Sequence, residues 1–134
     1  MKTNALRNTI LALVLAAAAD AQGPAPLHAN VPFNFTVGKV TFVAGKYTVE
    51  QANPGVIDVR GANGKAAFLF VGGGQCTRTQ TPPRLVFHRY GDTYLLSQVW
   101  SWGDTCAREV PKGARERELE AAGKPPRDTI IAAH

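Results

Sequence analysis

The stretch RLVFHRYGDTYLLSQVWSW, residues 84–102, decides the fold, because it reads as two strands folded back on a tight turn at Gly91-Asp92. It is the densest aromatic and branched-chain region of the sequence. With Gly91 opening a two-residue type II′ turn, Leu85, Phe87, Tyr94, Leu96, Trp100 and Trp102 fall on one face. Val86, His88, Leu95 and Val99 share the opposite face with Tyr90, Ser97 and Ser101. Neither face is purely polar, the pattern of a central hairpin covered on both sides. A one-residue change of register would exchange the two faces, so the assignment depends on the turn.

Working outward, the upstream chain alternates. Val31, Phe33, Phe35 and Val37 interleave with Pro32, Asn34 and Thr36, which predicts a half-buried strand. Pro32 has no backbone donor, so that strand begins at Pro32 or lies at a sheet edge. Gly38-Lys39 and Ala44-Gly45-Lys46 turn the chain around residues 40–43 and into Tyr47, Val49 and Gln51. Asn53-Pro54-Gly55 is a further turn signal, and Ala62-Asn63-Gly64 joins strands over residues 56–60 and 65–71. Gly72-Gly73-Gly74 ends the last of these, with a loop expected to Pro83. Downstream, residues 105–110 read as a strand stopped by Pro111.

ARERELEAA, residues 114–122, is the one convincing helix, with Arg115–Glu118 and Arg117–Glu120 as supporting pairs and Gly123 as its C′ stop. Its apolar stripe is thin, Leu119 with alanines, which places it on the surface. The final DTIIAAH either docks through Ile130 and Ile131 or frays. About seven or eight short strands with regular turn signals predict an all-β fold, an antiparallel β-sandwich, with a small β-barrel as the alternative.

The first residues read differently. Lys2 and Arg7 precede an apolar run from Ile10 to Ala19, and Ala19-Asp20-Ala21 is a small-x-small cleavage pattern, so residues 1–21 read as a signal peptide. The run is too short for a permanent bilayer span. QGPAPLHAN, residues 22–30, then reads as a linker or extended arm, with the domain over residues 31–111 and the helix and tail over 112–134. Removing the leader lowers the formal charge from +5 to about +4, an ordinary solvated surface. Cys76 and Cys106 are the two cysteines, and in an exported chain such a pair joins. Closing a loop of roughly 30 residues across the central hairpin would contribute roughly 3 to 4 kcal/mol in the chain-entropy model.

VPFNFTVGK at residues 31–39, AGKYTVE at 44–50, LVFHRYGDTYLLSQVW at 85–100 and AREREL at 114–119 resemble a family of small exported β-proteins of soil bacteria with no assigned activity. The four stretches extend over nearly the whole chain after the leader. The family pattern commonly places proline before the second Ala-Gly, where this chain has Val43, a variation within a turn. The resemblance implies export and a compact β-fold, and it brings no catalytic residue.

Candidate chemistry is sparse. His88 sits mid-strand with Arg89 beside it, but a strand sends the two to opposite faces. His28 and His134 fall in the linker and at the end of the sequence, so a three-histidine metal site is not expected, and no cofactor motif is present. His88 therefore reads as a structural histidine, a general base or ligand contact being the functional alternative. No serine occupies a Gly-x-Ser-x-Gly elbow, and Gly72 to Gly74 lacks the lysine and hydroxyl of a phosphate loop. Asp58, Asp92 and Asp104 sit in or beside turns, which argues against paired catalytic carboxylates.

Trp100, Trp102 and Tyr94 would make a sugar-stacking platform if their face were open, and a core face if it were covered. Arg78, Arg84, Arg89 and Arg108 are the candidates for a patch on an anionic polysaccharide or membrane surface. The strand from Val31 to Val37 behind a mobile arm would suit strand exchange with a second copy, its alternative being pairing within its own sheet. These features predict a secreted or periplasmic, non-enzymatic binding or structural module whose partner is a polysaccharide or another envelope component, not nucleic acid. A self-assembling extracellular subunit and a small envelope-polymer hydrolase are the alternatives.

Overall fold

The computed structural model describes residues 25–134; the leader expected over residues 1–21 lies outside them. Eleven strands and one helix form two sheets packed as a sandwich. The first sheet runs β1 (Leu27–Val31), β4 (Gly45–Asn53), β5 (Val56–Gly61), β6 (Ala66–Phe70), each antiparallel to its neighbour. The second runs β11 (Arg127–Ala132), β8 (Arg84–Tyr90), β9 (Thr93–Trp100), β10 (Cys106–Glu109), β7 (Gly72–Cys76). A short hairpin of β2 (Phe35–Val37) and β3 (Val40–Phe42) joins it through one parallel pair, Thr36 to Leu95. That pair is the exception to an otherwise antiparallel arrangement among the described residues.

Residues 31–37 do not form one strand. The chain leaves the first sheet at Pro32, which has no N–H for a ladder, and enters the second sheet at Phe35. The expected linker also ends earlier, because Leu27, Ala29 and Val31 are buried on the inner face of β1 and pair with β4. The stretch proposed for strand exchange thus completes its own sandwich. Phe35 sits between the sheets, with ring centroids 4.9 Å from Tyr47 of β4 and 5.2 Å from Phe87 of β8. Such edge-on pairs add to the burial of their area.

The central hairpin forms as predicted, turning at Gly91, whose φ of 61° is open to glycine at little steric cost. Its second half departs from simple alternation. Phe87 faces Leu96 but Val86 faces Gln98, so Ser97 is an extra residue in β9, a bulge. The phase reverses there. Val99 joins Leu85, Phe87 and Leu96 on the inner face, while Trp100 moves outward to pack with Val86 and Ala107. The other edge of β9 is shared, β2 pairing at Leu95 and β10 at Gln98 and Val99.

Gly72 to Gly74, expected to end a strand, instead begin β7. A Cβ on Gly74 would lie 3.0 Å from Glu109 Cβ and 3.3 Å from the Ala107 carbonyl oxygen, so glycine lets β7 approach β10 closely there. Cys76 and Cys106 are directly opposed in that pair and form the disulfide around the hairpin. The last residues dock: Ile131 packs on the core while β11 pairs along β8. Beyond it His134 exchanges backbone hydrogen bonds with His28 at 2.8 and 2.9 Å, tying the two sheets at one flank. At the other flank only Val71 separates β6 from β7.

The bulge makes a testable distinction between the two tryptophans. Trp100 is 0% exposed and Trp102 58%. Trp100→Ala is expected to cost about 3–5 kcal/mol in urea denaturation, and Trp102→Ala to stay within about 0.5 kcal/mol of the parent.

Candidate functional site

The outer face of the hairpin carries His88, and the residue that meets it comes from the helix. Helix α1 (Ala114–Ala121) starts behind Gly113, and Gly123 at φ 79° closes it in the left-handed conformation expected of a C′ residue. The predicted Arg115–Glu118 pair forms at 3.5 Å, while Glu120 pairs with Lys112 at 2.5 Å, an alternative to Arg117. Glu116 and Leu119, three apart, share the face turned to the sheet. Leu119 packs on Tyr90 and Leu95. The helix is on the surface as expected, but it is anchored by a buried carboxylate as well as a leucine.

Glu116 Oε2 accepts hydrogen bonds from the Tyr90 hydroxyl and from His88 Nδ1, both at 2.8 Å. A carboxylate only accepts when ionised, so Nδ1 carries the proton. The other ring nitrogen, Nε2, lies 3.1 Å from Ser97 Oγ, the hydroxyl of the bulge residue. Asp128 of β11, opposite His88 in the ladder, is 3.6 Å from the same nitrogen, too far for a direct bond. Hydroxyl, imidazole and carboxylate therefore stand in the order used by serine hydrolases. The two ends of the set are buried, with Ser97 4% and Glu116 6% exposed, while the His88 side chain between them is 23% exposed. The hollow that Glu116 lines holds about 20 Å³, room for one water, and neither Ser97 nor His88 borders it.

Burial pushes the Tyr90 phenol well above its ordinary value, and the adjoining Glu116 carboxylate raises it further. An ionised phenol beside that carboxylate would place two negative charges in the interior.

The other predicted site residues do not come together. Tyr94 faces inward, stacked on Phe33 with ring centroids 3.8 Å apart, while Trp100 is buried on the opposite face and Trp102 lies beyond the strand. The bulge separates them, so no three-ring platform forms. Arg89 bonds the Gly91 carbonyl at 2.8 Å and covers Tyr94, away from His88. Arg84 covers the Trp100 ring at 4.7 Å, and Arg108 bonds Asp104, Ser101 and Gln51, so these three arginines serve separate local roles, while Arg78 is exposed.

A larger concavity lies on the outward face of the first sheet. This cleft of about 470 Å³ is lined by His28 and Asn30 of β1, Lys46 and Thr48 of β4, Arg60 of β5, and His134. Ala29, Tyr47, Gly61 and Ala62 complete it, and none of its lining residues is acidic. The His28 and His134 rings stand 6.1 Å apart because their backbones are paired. Thr48 Oγ1 is 3.4 Å from His28 Nδ1, and Arg60 is held by Asp58 at 2.9 Å. The alternation of Leu27, Ala29 and Val31 is the sequence signal that could have found β1 and set His28 outward. No local signal places His134 beside it. Among the described residues no group of three or more histidine, cysteine or acidic side chains is placed to hold a metal ion.

Tyr90 supplies a pH test of the buried network. A raised folded pKa means that the neutral phenol's contribution is complete below the unfolded value of 10.0 and is lost as pH rises through the folded one. Thermal unfolding is therefore expected to show stability falling above pH 10, with Tyr90→Phe flattening that fall while costing about 1–2 kcal/mol at neutral pH. No family model, no curated protein and no solved structure matches this chain.

Proposed function

We propose that this chain is an exported, non-enzymatic binding module of the periplasm or cell exterior. One contrast carries the reading: the group with a catalytic arrangement has its serine and glutamate buried and only its imidazole part-exposed, while the large open concavity is lined by basic and neutral residues. A largely buried polar network holds a helix in place; an open, pre-formed cleft with a few convergent polar groups receives a ligand. Export is supported by the leader pattern and by the Cys76–Cys106 disulfide, a bond that persists in oxidising compartments. No helix among the described residues is long and apolar enough to cross a membrane.

The spacing of Ser97, His88 and Glu116 favours a second reading, a small hydrolase in which α1 moves to admit substrate. The two readings separate in one assay. The purified chain, incubated with aryl esters and with envelope polymers, is expected to release no product above the rate of Ser97→Ala, and to co-sediment with an isolated envelope fraction. Turnover abolished by Ser97→Ala would establish the hydrolase instead.

A further inference from the structure

The outward face of the first sheet carries a second feature beside the cleft. Phe68 and Phe70 of edge strand β6 are 63% and 80% exposed, two large apolar rings left in solvent on one strand. Strand register places them relative to the cleft. Thr48 is paired with His28 on one side and with Arg60 on the other, and Arg60 with Ala66, so these residues form one row across the sheet. Phe68 is paired with Asp58, two residues from Arg60, so it lies on the same outward face in the adjoining row, about 7 Å along the strands. Phe70 extends that line opposite Val56.

Cationic and neutral hydrogen-bonding groups thus sit at one side of the face and bare aromatic rings at the other. Glu50 and Asp58 lie in the row of Phe68, outside the cleft, and Asp58 is already paired with Arg60. Lys46 makes no ion pair among the described residues. A ligand matching this surface needs a carboxylate for Lys46, beside the Arg60 guanidinium that Asp58 already holds, hydroxyls for Asn30, Thr48 and the imidazoles, and flat C–H faces for the phenyl rings. We propose that the outward face of the first sheet binds a uronate-rich polysaccharide, with its carboxylates in the cleft and neighbouring sugar rings against Phe68 and Phe70. This rests on the binding-module reading and names its ligand.

Lys46, Phe68 and Phe70 are exposed, so they can be changed without opening the core, whereas removing Arg60 would strand the buried Asp58. Calorimetric titration with polygalacturonate and alginate oligomers, against neutral cello-oligomers of matched length, is expected to show binding of the anionic chains alone. That binding should weaken with added salt. Lys46→Glu should reduce affinity about tenfold or more and Phe68→Ala several-fold, and Trp102→Ala, in the turn after β9, should leave it unchanged. Failure to bind either uronate oligomer overturns the proposal, as does equal binding of the neutral chains, or binding that ignores both Lys46→Glu and Phe68→Ala. Each of those outcomes leaves the module reading standing when the chain still co-sediments with envelope material. Cleavage of any of these oligomers, lost in Ser97→Ala, overturns both.

Discussion

A hairpin with apolar side chains on both faces has to be covered twice, and the architecture follows from meeting that demand. The inner face of β8 and β9 is closed by the first sheet and by the Phe33 and Phe35 rings. On the outer face α1 covers Tyr90 and Leu95, while Trp100 packs with Val86 and with Ala107 of the neighbouring strand under the Arg84 guanidinium. Area removed from water supplies the driving force, at about 25 cal/mol per Å², and polar groups carried inward with it must find partners. His88, Ser97 and Tyr90 are such groups. Glu116 brings its carboxylate beneath the helix to accept hydrogen bonds from Tyr90 and His88, while Ser97 meets the other imidazole nitrogen.

The bulge at Ser97 connects these requirements. One extra residue lets β9 present Leu96 and then Val99 to the core, places a hydroxyl beside His88, and turns Trp100 outward to lie under the Arg84 guanidinium. The same residue gives its carbonyl to Val110 N–H at 2.8 Å, so it also guides the chain from β10 toward the helix. A bulge beside a hydroxyl, imidazole and carboxylate invites comparison with an active site, since bulges re-aim side chains there. Here it satisfies buried polar groups and sets the direction of the next element.

The outward face of the first sheet answers a different constraint. Nothing among the described residues covers it, so its composition is free of the need to pack, and its cleft collects basic and neutral groups beside two bare phenyl rings. The pairing of His28 with His134 gives the cleft one wall and ties the sheets together at that flank.

Much of this was legible in the chain itself. Period-two alternation and the glycine at position 91 specify the central hairpin, because side chains on successive strand residues point to opposite faces and only a few turns reverse a strand tightly. Helix formers between Pro111 and Gly123 mark α1, and two cysteines on either side of the hairpin mark the disulfide. These are local properties, carried by neighbouring residues. Tertiary structure decided the rest: the phase of Val99 and Trp100 after the bulge, the carboxylate that meets His88 from 28 residues away, the strand character of Gly72 to Gly74, and the junction of His28 with His134. Each depends on which distant surface arrives opposite a residue, and side-chain alternation within one segment carries no record of that arrival.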